Sequence, residues 1–145
     1  MKNKINRAPM AKKKFMLFAI ALSFSVMGMA QVNQIVGNWK TVDDKTGNSY
    51  SIIQIYQSND GKYYGKIAKM LVELPKGMDV CLECTGEDKN APLEGLVIIR
   101  GMEEKDGQLV GGKVLDPESG KFYYGKIYLK NGDLVLRGSL DKKGI

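Results

Sequence analysis

The chain has 145 residues, with 22 Lys and Arg against 16 Asp and Glu, two Cys and no His. The first thirty residues hold six of the basic side chains and none of the acidic ones, so the remaining 115 carry 16 of each sign. A neutral body excludes a nucleic-acid reading built on net charge, which needs the excess on the folded domain. Its length suits one domain, burying roughly two thirds of its unfolded surface.

The first element in chain order is a leader. Lys2, Lys4, Arg7 and Lys12–Lys14 precede a thirteen-residue, mostly apolar stretch from Phe15 to Met27, which closes on Gly28-Met29-Ala30. Charge, apolar run and small residues in that order are the pattern of a secretory signal peptide. The run is shorter than the ~20 residues that cross a bilayer core. Cleavage is expected after Ala30, so residues 1–30 are the signal peptide and 31–145 a single domain, periplasmic or secreted, with no stable membrane span. An uncleaved anchor is the alternative; no Cys follows the run to carry a lipid.

Turn chemistry punctuates the rest: Thr46-Gly47-Asn48, Asn59-Asp60-Gly61, Lys105-Asp106-Gly107, Ser119-Gly120 and Asn131-Gly132. Asx-Gly pairs accept the positive dihedrals of hairpin turns. The β-branched and aromatic runs between them predict seven strands, over Ile35–Thr41, Tyr50–Gln57, Lys62–Val72, Leu96–Gly101, Gln108–Leu115, Lys121–Lys130 and Asp133–Leu140. In the last, Leu134, Leu136 and Leu140 share a face with Gly138, while Val135, Arg137 and Ser139 share the other, the alternation of a half-buried strand. No helical stripe of comparable length is present. Antiparallel strands joined by tight turns must hide their edges, and an up-and-down barrel removes them altogether, a sandwich being the competing solution. Gly65, Gly101, Gly111, Gly112, Gly125 and Gly138, in or beside strands, mark the bends of a rolled sheet. The segment Gly61-Lys62-Tyr63-Tyr64-Gly65-Lys66-Ile67 recurs as Gly120-Lys121-Phe122-Tyr123-Tyr124-Gly125-Lys126-Ile127 with one insertion, as two hairpins with the same task would require, a true duplication being the alternative.

The long irregular stretch Glu73–Glu94 contains both cysteines, Cys81 and Cys84. In an oxidising compartment such a C-x-x-C pair forms a disulfide. As a staple, it closes a segment short enough to keep its benefit on the low side of the usual ~2–4 kcal/mol. An exchangeable redox pair is the second reading, although no helix follows to lower a thiol pKa. Zinc or unpaired thiols are the third, and zinc wants about four ligands in a chain with no His. The missing His also removes the usual general base of nucleophilic catalysis. Asp43-Asp44, Glu87-Asp88 and Glu103-Glu104 are adjacent pairs near turns, placed to be solvated rather than to share a proton. Asp116-Pro117-Glu118-Ser119-Gly120 is explained by turn geometry. The aromatic residues Trp39, Tyr56, Tyr63, Tyr64, Phe122, Tyr124 and Tyr128 either line a barrel interior or form its core.

Several segments together resemble the bacterial exported family of unknown function numbered 2147. They are Ile35-Val36-Gly37-Asn38-Trp39, Tyr64-Gly65-Lys66-Ile67, Pro92-Leu93-Glu94-Gly95-Leu96-Val97-Ile98, Gly111-Gly112-Lys113-Val114-Leu115-Asp116-Pro117-Glu118-Ser119-Gly120-Lys121 and Leu134-Val135-Leu136-Arg137-Gly138. That resemblance implies an exported, lipocalin-type barrel with no agreed activity. Gly37-x-Trp39 is similar to the opening of lipocalin barrels, in which the Trp packs against an Arg from a late strand; Arg137 is the candidate here. Related sequences continue past Ile145 into a further strand, so the antiparallel up-and-down barrel is expected to be incomplete at its C-terminal strand.

The expected function is non-enzymatic, with no cofactor or metal: capture of a small apolar or amphipathic ligand by Trp39, Tyr56, Tyr64, Tyr124, Tyr128 and Arg137. The alternative is an envelope interaction module with a filled core, which holds a protein or glycan through the 73–94 loop. A redox role for Cys81 and Cys84 comes third.

Overall fold

The computed structural model describes residues 32–43 and 46–144. The leader, its cleavage point and Asp44 lie outside these residues. Among the described residues eight antiparallel strands form one sheet: β1 (Gly37–Lys40), β2 (Ser51–Gln57), β3 (Tyr63–Met70), β4 (Val97–Lys105), β5 (Gln108–Val110), β6 (Lys113–Asp116), β7 (Lys121–Lys130) and β8 (Asp133–Ser139). The turns behave as their residues demand. Asp106 and Gly107 join β4 to β5 at φ 54° and 76°, and Asn131 and Gly132 join β7 to β8 at φ 55° and 88°, the paired positive dihedrals of a two-residue hairpin turn.

Three differences from the expected strands have identifiable structural causes. The first strand starts at Gly37, because residues 32–35 form one helical turn. That turn buries Val32 and Ile35, three residues apart on one side, too short a pattern for periodicity to reveal. The fourth strand runs through Gly101 to Lys105, since the glycine is a bulge within the strand: β3 partners Gly65 and Tyr63 meet Ile99 and Met102 on β4, two steps against three. The fifth is broken in two at Gly111-Gly112. Gly111 has φ +77°, and a Cβ on Gly112 would lie 2.5 Å from the Arg100 carbonyl oxygen and 2.8 Å from the Met102 amide nitrogen. The chain kinks there and presses its backbone onto β4. β5 and β6 therefore act as one bent strand between β4 and β7.

With that correction the sheet is an up-and-down meander. It curls around a single cluster that includes Ile35, Ile55, Met102, Leu109, Leu115 and Ile127, all essentially inaccessible, and both Trp39 on β1 and Leu134 on β8 pack against it. A fully buried side chain of this kind contributes about 1.5–3 kcal/mol. Among the described residues main-chain pairing does not complete the barrel: β1 pairs only with β2, and β8 only with β7.

The repeated segment has one structural meaning in both copies. Tyr63, Gly65 and Ile67 face inward from β3, and Tyr123, Gly125 and Ile127 do so from β7, with Tyr63, Gly65, Ile67, Gly125 and Ile127 buried and Tyr123 half-buried. Each glycine is where a neighbouring strand's side chain crosses: a Cβ on Gly65 would meet Ile99 Cδ1 at 2.7 Å, and one on Gly125 would meet the Met102 methyl group and Val114 Cγ2. At these levels the interior is filled.

Candidate functional site

The expected lining residues divide between the two faces of the sheet. Trp39 is on the inner face, opposite Ile53. It is half-buried, and its ring N–H donates to the Ile35 carbonyl at 2.7 Å, tying β1 to the preceding helical turn. Tyr56, Tyr64, Tyr124 and Tyr128 occupy the outer face, because each alternates with buried neighbours: Tyr56 with Ile55, Tyr64 with Tyr63 and Gly65, Tyr124 with Gly125, and Tyr128 with Ile127. They are therefore not interior lining. A signal for this was present in the sequence. Lys66 stands two residues after Tyr64 and Lys126 two after Tyr124, so strand alternation gives each tyrosine the face that a lysine needs for solvent.

Arg137 is exposed on the outer face of β8, opposite Lys126. Trp39 and Arg137 thus lie on opposite faces, and the expected contact between them is not made. The ring–cation contacts of the described residues use Arg100 over Phe122 at 5.2 Å, Lys113 and Lys142 over Tyr124 at 6.0 and 5.6 Å, and Lys126 over Tyr128 at 5.9 Å.

The inner face becomes accessible at the two margins of the sheet. On β8 the inner positions are Leu134 and Leu136, opposite Leu129 and Ile127. Ile127, one strand in from the margin, is fully buried, whereas Leu136 remains 44% exposed. Trp39 holds the matching inner position on β1. Leu134, Leu136 and Tyr123 were absent from the expected lining. The alternation of Leu134 with Leu136 was legible, but which strand would be the margin was not.

On the outer face, Tyr56 and Tyr64 stack at 6.1 Å between ring centres. The Tyr64 hydroxyl donates to Asp60 Oδ2 at 2.7 Å, the Lys62 amide donates to Asp60 Oδ1 at 2.9 Å, and Lys62 pairs with Glu103 at 2.9 Å. The hydroxyl, then the amide, hold the Asp60 carboxyl below the ordinary aspartate value of 3.8. The same hydrogen bond raises Tyr64, and the bond to Glu103 raises Lys62. The Asp60 contribution is present above the ordinary value and is lost as pH falls through the lowered folded value. Tyr64→Phe is expected to move the Asp60 midpoint upward, read by carboxyl NMR titration. An Asp60 midpoint identical in the two proteins would contradict the assignment.

The 73–94 loop is pinned rather than loose. Cys81 and Cys84 form a disulfide with both residues buried. Val80 bridges Pro92, the Cys81 amide donates to the Ala91 carbonyl, and Leu93 donates to Asp79. Arg100 fastens the loop to β4 through Asp88 at 2.8 Å and its own strand's Val97 carbonyl at 2.8 Å. The turn at Asp116–Gly120 closes against the other side. Cys81 Sγ lies 3.4 Å from the Pro117 carbonyl oxygen, and Gly120 is packed on the Glu83 carbonyl group. The sequence motif Asp116-Pro117-Glu118-Ser119-Gly120 is a turn, as expected, with Ser119 Oγ donating to Asp116 Oδ2 at 2.6 Å; its second task is to seat the disulfide. Disulfide exchange requires a sulfur that an attacking thiolate can reach, so the burial of this pair favours the staple. Among the described residues no helix is long and apolar enough to cross a membrane.

An antiparallel meander curled around one core, opened by a helical turn and a Gly-x-Trp strand, defines a lipocalin-like β protein. A solved protein of this shape is HP1028 from the human pathogen Helicobacter pylori, described as belonging to the lipocalin family; it aligns with a TM-score of 0.61 and 24% identity over 75% of this chain and 74% of that one. The chain belongs to the family DUF2147, described as an uncharacterized protein conserved in bacteria, which matches residues 37–144. No curated protein matches the sequence.

Proposed function

We propose that the protein is an exported, non-enzymatic binder of a small apolar or amphipathic ligand, taken at the open margin of the curled sheet rather than at its filled centre. The observation that carries this reading is Leu136: it lies on the inner, apolar face opposite a fully buried residue yet remains 44% exposed. A single acyl chain laid along the inner side of β8 would cover Leu136 as Ile127 is already covered by its neighbours. Trp39, on the inner side of the other margin, supplies a rigid aromatic surface. Export is supported by the charge-apolar-small pattern of residues 1–30 and by the disulfide, which persists in oxidising compartments. The lipocalin family named for the Helicobacter pylori protein agrees with the fold.

Trp39 is the sole tryptophan in the chain, so its emission reports on the inner side of the β1 margin. Titration with lauric acid below its micellar concentration is expected to give a saturable emission shift, and Leu136→Asp to weaken the apparent affinity at least tenfold with an unchanged far-ultraviolet spectrum. Emission that does not respond, or an equal response in the variant, would overturn the proposal. It would transfer the role to the pinned loop, which presents Met78 and Leu82 to solvent and would then act on a protein or glycan partner.

A further inference from the structure

The outer face carries a second feature, independent of the inner margin. A groove of about 560 Å³ runs over β5 and β7 to the C-terminal 3-10 turn Lys142–Gly144, with Lys105, Lys126 and Lys142 on its walls, Tyr124 in its lining and Asp106 as its acidic group. Lys113 adds a fourth ammonium group, 6.0 Å from the Tyr124 ring centre, while Lys142 is 5.6 Å from the same ring. Two cations share one aromatic ring in a domain whose basic and acidic side chains are equal in number beyond residue 30. Overall charge therefore does not force this concentration. The ion pairs of the described residues, Lys62–Glu103 and Arg100–Asp88, include none of these four lysines.

The kind of anion follows from the donors. Arginine presents a planar fork that matches a carboxylate or a phosphate through two parallel hydrogen bonds, whereas lysine acts as a compact point charge with three donors. Several lysines on one groove supply more than one point charge, which suits a group with more than one negative charge, and a phosphate monoester carries close to two at neutral pH. We propose that this groove binds a phosphate monoester between Lys105, Lys126 and Lys142, with Tyr124 beneath the group that carries the phosphate. The shared chemistry is the phosphate monoester itself, whether on a free sugar or on a lipid headgroup.

Amide NMR titration of the protein distinguishes the two sources. Glucose 6-phosphate is compared with unphosphorylated glucose, and vesicles containing phosphatidic acid with neutral vesicles. The expected result is a saturable, salt-sensitive response centred on residues 105–111 and 124–126 with a phosphorylated probe but not its neutral counterpart. A response to the sugar phosphate assigns a soluble ligand; a response to the vesicles alone assigns a headgroup. Lys126→Gln together with Lys142→Gln is expected to weaken the response at least tenfold, while Lys69→Gln, exposed on β3, leaves it unchanged. Equal losses in the two variants, shifts scattered over the surface, or no response to either phosphorylated probe would overturn the proposal.

Discussion

Gly120→Ala is expected to lower the thermal midpoint by about 10–20 °C, equivalent to about 3 kcal/mol in a domain of this size. Two effects combine. Gly120 has φ +67°, and its Cβ position falls on the carbonyl group of Glu83. That obstacle is backbone, held by the buried Cys81–Cys84 bridge, so it cannot rotate away as a flexible side chain would. Gly132→Ala separates the contributions, because Gly132 has φ +88° with nothing within 4 Å of the added carbon. It should bear only the dihedral cost, about 1 kcal/mol. Thermal melts followed by circular dichroism under non-reducing conditions make the comparison. Equal losses at the two glycines would mean that the turn is not seated on the loop.

The second large effect belongs to Met102, which is fully buried and fills the space against Gly112 and Gly125. Met102→Ala should cost about 2–5 kcal/mol by leaving a cavity. Gly125→Ala should cost about 1–3 kcal/mol, because the added methyl meets the Met102 methyl group and lies 2.6 Å from Val114 Cγ2. In combination the two are expected to cost less than their sum, by about 1–2 kcal/mol, since removing the methionine vacates the space that the new methyl needs. A residual penalty remains from Val114. Urea midpoints of the two single variants and the double variant measure the coupling; strict additivity would contradict the packing of Met102 over Gly125.

Much of the sheet was legible in the sequence because its signals are local. Asp106-Gly107 and Asn131-Gly132 name their turns in two residues, and the alternation of Leu134 with Leu136 names an inner face in three. What was not legible depends on neighbours distant in sequence. Gly101 and Gly111-Gly112 look alike along the chain, yet one is a bulge within β4 and the other divides β5 from β6; the difference is set by how β3 and β7 pair with them. Among the aromatic residues, adjacent tyrosines pose a binary choice that composition cannot make. Lys66 and Lys126 would have made it, turning Tyr64 and Tyr124 outward. The Trp39–Arg137 contact implied by the family likeness failed for the same reason, since the parity of β8 commits Arg137 to the face of Lys126. The outer groove left no motif at all: its lysines come from β4, β7 and the last turn, and only folding collects them.

Strand order has a consequence for assembly. Because β1 to β4 follow one another across the sheet, as do the bent β5–β6 unit, β7 and β8, nearly every pairing is available as soon as the next hairpin emerges during synthesis, and little chain entropy is spent on long closures. The chief exception is the union of Glu83 with Gly120, thirty-seven positions downstream. The C-x-x-C segment waits for that later turn before it is shielded, so a folding chain spends an interval with its sulfurs accessible.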